Sequence, residues 1–330
     1  MENSLINPSE LEIYQLGINL VVISIVLSAI AIGFAKAINS RKMFAWGVEE
    51  LIQAIINGAL LGIIFSGSIG LSNLASSLVD QSLTSGCNNY NDQPTFIKAG
   101  MCKQDKILDI IYNASEKTYK QSAALASLSL ITIKLNVIEA MPLYSLKYAS
   151  EEFSKLSFEF LNSALILETV KQIILFFAKT GFSIFLPIGL LLRMFFMTRK
   201  VGGAIIAGAI GFYIFFPLFL LSFGLDLNQM DQANGVFENT INELAKISAP
   251  FPQIDWSKEQ DIINLVFSLG QKDLALTTSA ALKVSSQLLS LMQLYSYIYV
   301  GFAILTTFIF IYQLASIFGL EFNLDIYDKI

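Results

Sequence analysis

The chain is 330 residues long, 54% of them hydrophobic and 14% charged, where an ordinary soluble domain carries about 25% charged residues. That balance excludes a simple water-soluble domain and reads as an integral membrane protein with sizeable water-facing parts. The net charge of −5 argues against a general nucleic-acid-binding surface, and the absence of histidine removes every Ser-His or Cys-His catalytic pair and the commonest metal ligand.

Residues 1–15 hold acids and no basic residue, unlike the start of a cleavable signal peptide. A first crossing is expected over residues 17–38, followed at once by Arg41 and Lys42. Cytoplasmic ends of membrane helices collect lysine and arginine, so this end is read as inside and the N-terminus as outside. The second crossing, 51–79, has no charge between Glu50 and Asp80. Gly58 and Gly62 form a G-x-x-x-G step on it, a face smooth enough for a neighbouring helix within the subunit, a second subunit or a hinge.

The polar stretch CNNYNDQPTFIKAGMC follows and contains both cysteines, Cys87 and Cys102. Two cysteines in one irregular loop point to a disulfide on the oxidising side of the membrane. Farther on, the uncharged run before Lys134 is too short to span a bilayer. Leu125, Leu128, Ile131, Leu135 and Ile138 recur at three-and-four spacing, which predicts an amphipathic helix over 121–141, lying on the membrane or packing on an outer segment.

A third crossing is expected over 173–197, preceded by Glu168 and Lys171, which are spaced to pair near the outer interface. Lys179 lies deeper, where a long lysine snorkels to the headgroups or serves a function. Pro187 removes a backbone hydrogen bond and predicts a kink. Arg193, Arg199 and Lys200 surround the next turn and mark it as cytoplasmic. The fourth crossing, 201–224, presents small residues at Gly203, Ala207 and Gly211, with Gly208 in a second row, and these are expected to pack against another helix. Residues 225–285 predict two short outer helices around the 250–252 turn. A last crossing lies within the uncharged run 284–320, with Tyr295, Tyr297 and Tyr299 as an interfacial belt or a ligand cage, and the acidic tail ends inside.

The expected fold class is therefore an all-α integral membrane protein with five transmembrane helices, N-out and C-in, and helical extracytoplasmic segments. Its parts are 1–79, 80–158, 159–224, 225–285 and 286–330. No phosphate-binding loop, zinc spacing or dinucleotide fingerprint is present, so neither a cofactor nor an enzymatic activity is expected.

The hairpin LPIGLLLRMFFMTRKVGGAIIAGAIGFYIFFPLFLL carries G-L-x-x-R, R-x-x-G-G and a late proline across residues 189–217. With the five-crossing topology, it resembles the polytopic TrbL-like membrane subunits of type IV secretion and conjugation machines and their archaeal counterparts in DNA exchange. That resemblance implies a conduit or platform subunit in a cell (plasma or inner) membrane, a homo-oligomer or a partner of other secretion or pilus subunits, with a partner ATPase supplying energy. It transfers no functional residue. The competing expectation is a small-solute permease or channel acting alone.

Overall fold

Helix α1 (Pro8–Ala37) and helix α2 (Arg41–Leu78) form the first hairpin. The structure, a computed structural model, describes residues 8–78, 90, 95–130, 132–135, 138–141, 143–194, 198–222, 227–248 and 274–318. The hairpin turns on Asn39, whose φ of 55° lies in the left-handed region that asparagine tolerates. There Ser40 N–H donates to Ala35 O at 3.0 Å and Asn39 N–H to Lys36 O at 3.2 Å, which satisfies the last carbonyls of α1. Ser40 then caps α2, its Oγ accepting from Met43 N–H at 3.4 Å.

The chain continues as α3 (Thr95–Ser129), strands β1 (Ile133–Leu135) and β2 (Ile138–Ala140), and α4 (Leu146–Thr180). A π-helical turn, Gly181–Phe185, leads into α5 (Leu186–Met194). Helix α6 (Arg199–Ile210) passes through a second π-turn, Gly211–Phe215, into α7 (Phe216–Ser222). Helices α8 (Leu227–Ser248) and α9 (Leu274–Gln293) follow, then a third π-turn, Leu294–Tyr299, and α10 (Val300–Ile317).

Among the described residues, five helical stretches are long and apolar enough to cross a membrane: Gly17–Ala37, Arg41–Ile63, Leu146–Thr180, Arg199–Ser222 and Leu274–Ile317. The expected third crossing is continuous with its lead-in, because α4 already runs from Leu146. The amphipathic helix expected over 121–141 is corrected. Helix α3 stops at Ser129, and β1 and β2 pair antiparallel with Ile133 opposite Ala140 and Leu135 opposite Ile138. The β-branched run Ile131-Thr132-Ile133 favours extended backbone, and the helical spacing of Leu135 and Ile138 is coincidental. Apart from this pair of three-residue strands, the elements among the described residues are helical.

The chain divides into two compact units. One comprises Met1–Lys103, Val170–Phe223 and Phe302–Ile330; the other comprises Gln104–Thr169 and Gly224–Gly301.

The second unit is a bundle of the α3, α4, α8 and α9 segments with a heptad core. Along α3 the buried positions include Gln104, Leu108, Ile111, Ser115, Thr118, Ser122 and Leu125, and along α4 they include Ser150, Phe153, Ser157 and Phe160. Alternating steps of three and four over several turns are the signature of a coiled-coil seam. The two helices run antiparallel and touch through serines. The hydroxyls of Ser115 and Ser157 lie 3.0 Å apart, and each also donates to the other's carbonyl, at 3.1 and 3.0 Å. Seven residues on, Ser122 and Ser150 repeat the arrangement, at 2.8 and 2.9 Å to the opposite carbonyls. Helix α8 joins through Lys117–Glu238 (2.7 Å) and the Phe160–Phe237 ring pair, and α9 through Gln293 Nε2 donating to Glu159 (3.1 Å).

The serine pairs set the helix separation, so Ser157→Leu is expected to destabilise the protein by about 1–3 kcal/mol through overpacking. Ser157→Ala, which keeps the spacing and loses one reciprocal pair, is expected to cost about 0.5–1.5 kcal/mol. Thermal unfolding of the two variants checks the order; a leucine variant as stable as the wild type would show that the spacing is not fixed there.

Candidate functional site

The first unit gathers two features that bear on function. One is a pair of broken helices; the other is a basic end.

Both breaks share one sequence pattern. Gly181-Phe182-Ser183-Ile184-Phe185-Leu186-Pro187 and Gly211-Phe212-Tyr213-Ile214-Phe215-Phe216-Pro217 share the pattern G-F-x-I-F-x-P. A helical proline lacks an N–H, and its ring crowds the carbonyl four residues earlier. In both helices a wide turn precedes the proline and absorbs this conflict. Leu186 N–H reaches back to Gly181 O, and Phe216 N–H to Gly211 O. The irregularity expected at Pro187 thus takes the form of a π-turn one step upstream, with Pro217 repeating the device. Side-chain hydroxyls serve the neighbouring carbonyls: Thr180 Oγ1 donates to Phe176 O at 2.6 Å, and Ser183 Oγ donates to Lys179 O.

The two π-turns meet. A Cβ on Gly181 would lie 3.5 Å from Tyr213, and the Phe177 and Phe212 rings stack with centroids 4.5 Å apart. Helix α10 packs on the second turn. Phe310 stacks on Phe215 at 3.5 Å, Phe308 meets Phe212 edge-on at 5.7 Å, and Gly211 sits against the Ile311 side chain. The Phe96 ring approaches Tyr213 at 6.0 Å. The result is an aromatic seam around two helix breaks, an arrangement suited to bending because each break carries its own wide turn.

At the basic end, α5 and α6 cross backbone on backbone. A Cβ on Gly202 would stand 2.5 Å from Gly189 O and 2.6 Å from Arg193 N, and one on Gly189 would stand 2.6 Å from Ile206. Arg199, at the start of α6, reaches across to α2, to Glu50 at 2.5 Å and Glu49 at 3.4 Å. Arg193 is buried and lies over the Phe318 ring at 5.0 Å, and Gly203 also meets Phe318. These contacts place the end of α5, the starts of α2 and α6 and the residue after α10 together. Arg41, Lys42 and Lys200 are exposed.

No protein-family model, curated protein or solved structure matches this chain.

The remaining sequence-selected residues are distributed as follows. Ala207 is fully buried, and Gly58 faces Val21 at 3.3 Å. Gly62 and Gly208 have nothing within 4 Å of where a Cβ would stand, so neither meets a described neighbour within this chain. Close approaches within the chain occur at Gly189 and Gly202, and in the first hairpin at Gly17 against Leu61 (2.9 Å) and Gly47 against Ile32 (2.8 Å). Glu168 and Lys171 are half-buried on α4 and Lys179 is exposed. Tyr295 is buried and near Tyr299 at 6.3 Å between ring centroids, whereas Tyr297 is exposed, so the three tyrosines do not share one environment. Cys102 is buried, and Cys87 lies outside the described residues. The acidic tail from 319 onward and the 250–252 turn also lie outside them. Among the described residues, no cluster of three or more Cys, Asp or Glu could hold a metal ion.

Within the same unit, Asn57 on α2 is buried with its Oδ1 lacking a hydrogen-bond partner. It lines a cavity of about 10 Å³ with Leu20, Val21, Ser24 and Leu190. That is room for about one water molecule.

Proposed function

We propose that the protein is a multi-pass membrane subunit, a conduit or platform, of a type IV secretion-like or DNA-transfer apparatus, and not an enzyme. The membrane part of this reading is supported by what α1 exposes. Val22, Val26, Leu27, Ile30 and Phe34 are all half or more exposed, a face suited to lipid and costly in water. The contacts of Arg199 and Phe318 support a five-crossing path. Crossings one, three and five end, and crossings two and four begin, at the basic end, as a cytoplasmic end requires under the positive-inside rule. The Cys87–Cys102 disulfide belongs to the opposite, oxidising side in this reading.

The observation that carries the subunit reading is the second unit. Four helical segments form a coiled-coil bundle that leaves Tyr112, Tyr119 and Tyr148 exposed, each at 46% or more. Exposed aromatics of this kind suit protein partners, and a lone permease does not require them. The partners are further copies, other secretion or pilus subunits and an ATPase. Crosslinking in native membranes followed by identification of partners tests it. Co-purification with a secretion ATPase is the expected result, and a lone monomer in gentle detergent counts against the reading.

The paired G-F-x-I-F-x-P breaks favour a second reading, a stand-alone permease, because interrupted helices in corresponding segments accompany substrate paths in many transporters. Solute flux by the purified protein alone in proteoliposomes would select it.

A further inference from the structure

Among the described residues, Arg193 is a buried cation that no carboxylate pairs with. It is 5% exposed, and its Nε and Nη1 have no hydrogen-bond acceptor. A buried cation without a counter-charge costs several kcal/mol, so it persists where something else compensates it. The carboxylates on α2 do not do so here. Glu50 and Glu49 are held by Arg199. The charge acting on Arg193 is that of Arg199, of the same sign. The Phe318 ring at 5.0 Å offers a partly compensating face but accepts no N–H bond in the guanidinium plane. Its position is fixed by the Gly202 crossing, which brings the first turn of α6 against the Arg193 backbone. Thr198 does not cap that helix, since its Oγ1 donates to Leu192 O at 2.7 Å. A buried guanidinium with open donors is complementary to a phosphate group. Exposed Lys36, Arg41, Lys42 and Lys200 extend the same sign of charge over the end of the unit.

We propose that Arg193 is the centre of a phosphate-binding site at the basic end of the first unit, filled by the headgroup of an anionic phospholipid or by free phosphate. The anion accepts from the open guanidinium donors and neutralises the buried charge. The site rests on the membrane reading for a lipid source, whereas the free-phosphate arm does not depend on it.

The test uses the full chain in nanodiscs of phosphatidylcholine with and without phosphatidic acid, with lipid retention read by native mass spectrometry, and a parallel titration with inorganic phosphate in detergent, read by thermal midpoint. Wild type is expected to hold phosphatidic acid roughly tenfold more tightly than Arg193→Gln, with Arg193→Lys between them and Lys42→Gln, which removes only part of the surrounding charge, reduced far less. A phosphate-induced rise in midpoint in detergent, absent in Arg193→Gln, assigns the site to free phosphate; lipid retention without that rise assigns it to the headgroup. Each comparison is made within one variant with and without anion, so a stability loss from the substitution itself cancels. Equal responses of wild type and Arg193→Gln in both arms overturn the site, as does an equal loss for Lys42→Gln, which would make the attraction diffuse. Failure to enter bilayers at all strikes the membrane reading instead and leaves the phosphate titration to decide the site.

Discussion

Gly202→Ala is expected to be among the most damaging single-methyl additions in the chain, costing about 3 kcal/mol or more. The new Cβ would stand 2.5 Å from Gly189 O and 2.6 Å from Arg193 N, both backbone atoms of α5. Backbone has no rotamer into which to retreat, so α5 and α6 must separate. Separation removes the Gly189–Ile206 contact on the same crossing, which puts the cost at the upper end of the overpacking range or above it. Gly62→Ala and Gly208→Ala are the internal controls. Neither Cβ meets an atom within 4 Å, and alanine is the better helix former, so each is expected to be neutral or stabilising by up to about 1 kcal/mol. The three variants differ from wild type by one methyl each. Unfolding in a graded detergent–SDS titration should therefore separate Gly202→Ala sharply from the other two, and similar midpoints for all three would contradict the crossing.

That contrast also shows how far the residues could be read before the fold was seen. Long uncharged runs and clustered arginines are local features of composition, so five apolar helices and the basic turn at Arg193, Arg199 and Lys200 are legible directly. A G-x-x-x-G step such as Gly58 to Gly62 says that a helix has a smooth side; it does not say that a neighbour lies there, which depends on the rotation of helices distant in sequence. The heptad core of the second unit was hidden for a different reason. Its seam includes Ser115, Thr118, Ser122, Ser150 and Ser157, all buried, so a search for apolar periodicity loses the period where the packing is closest. The strand pair β1–β2 was masked by the chance helical spacing of Leu135 and Ile138. The π-turns were readable in principle, since Gly181–Pro187 and Gly211–Pro217 repeat one pattern, but a self-comparison is needed to see it. Burial of Arg193 was not readable, because its neighbour Phe318 comes from the far end of the chain.

The ion pair between α2 and α6 carries the second large effect, and its two carboxylates should behave very differently. Arg199 and Glu50 have side chains 15% and 10% exposed and meet at 2.5 Å, whereas Glu49 is 57% exposed and lies 3.4 Å from the same guanidinium. Removing one member of a buried pair leaves the other desolvated and uncompensated, so Glu50→Gln is expected to destabilise by about 3–5 kcal/mol. Glu49→Gln, at a solvated site, should cost at most about 1 kcal/mol. If the stranded charge is the cause, the double variant Glu50→Gln/Arg199→Gln should recover a large part of the loss, since two neutral groups replace one buried cation. Stability measured for the four proteins in one detergent closes the cycle. Equal losses from Glu49→Gln and Glu50→Gln would mean that Arg199 is neutralised by solvent and not by the pair. A double variant no better than Glu50→Gln would mean that the carboxylate matters for packing more than for charge. A recovery combined with lost attachment of α6 to α2 would leave Arg193 and its phosphate site as the remaining test of how that end of the unit is held.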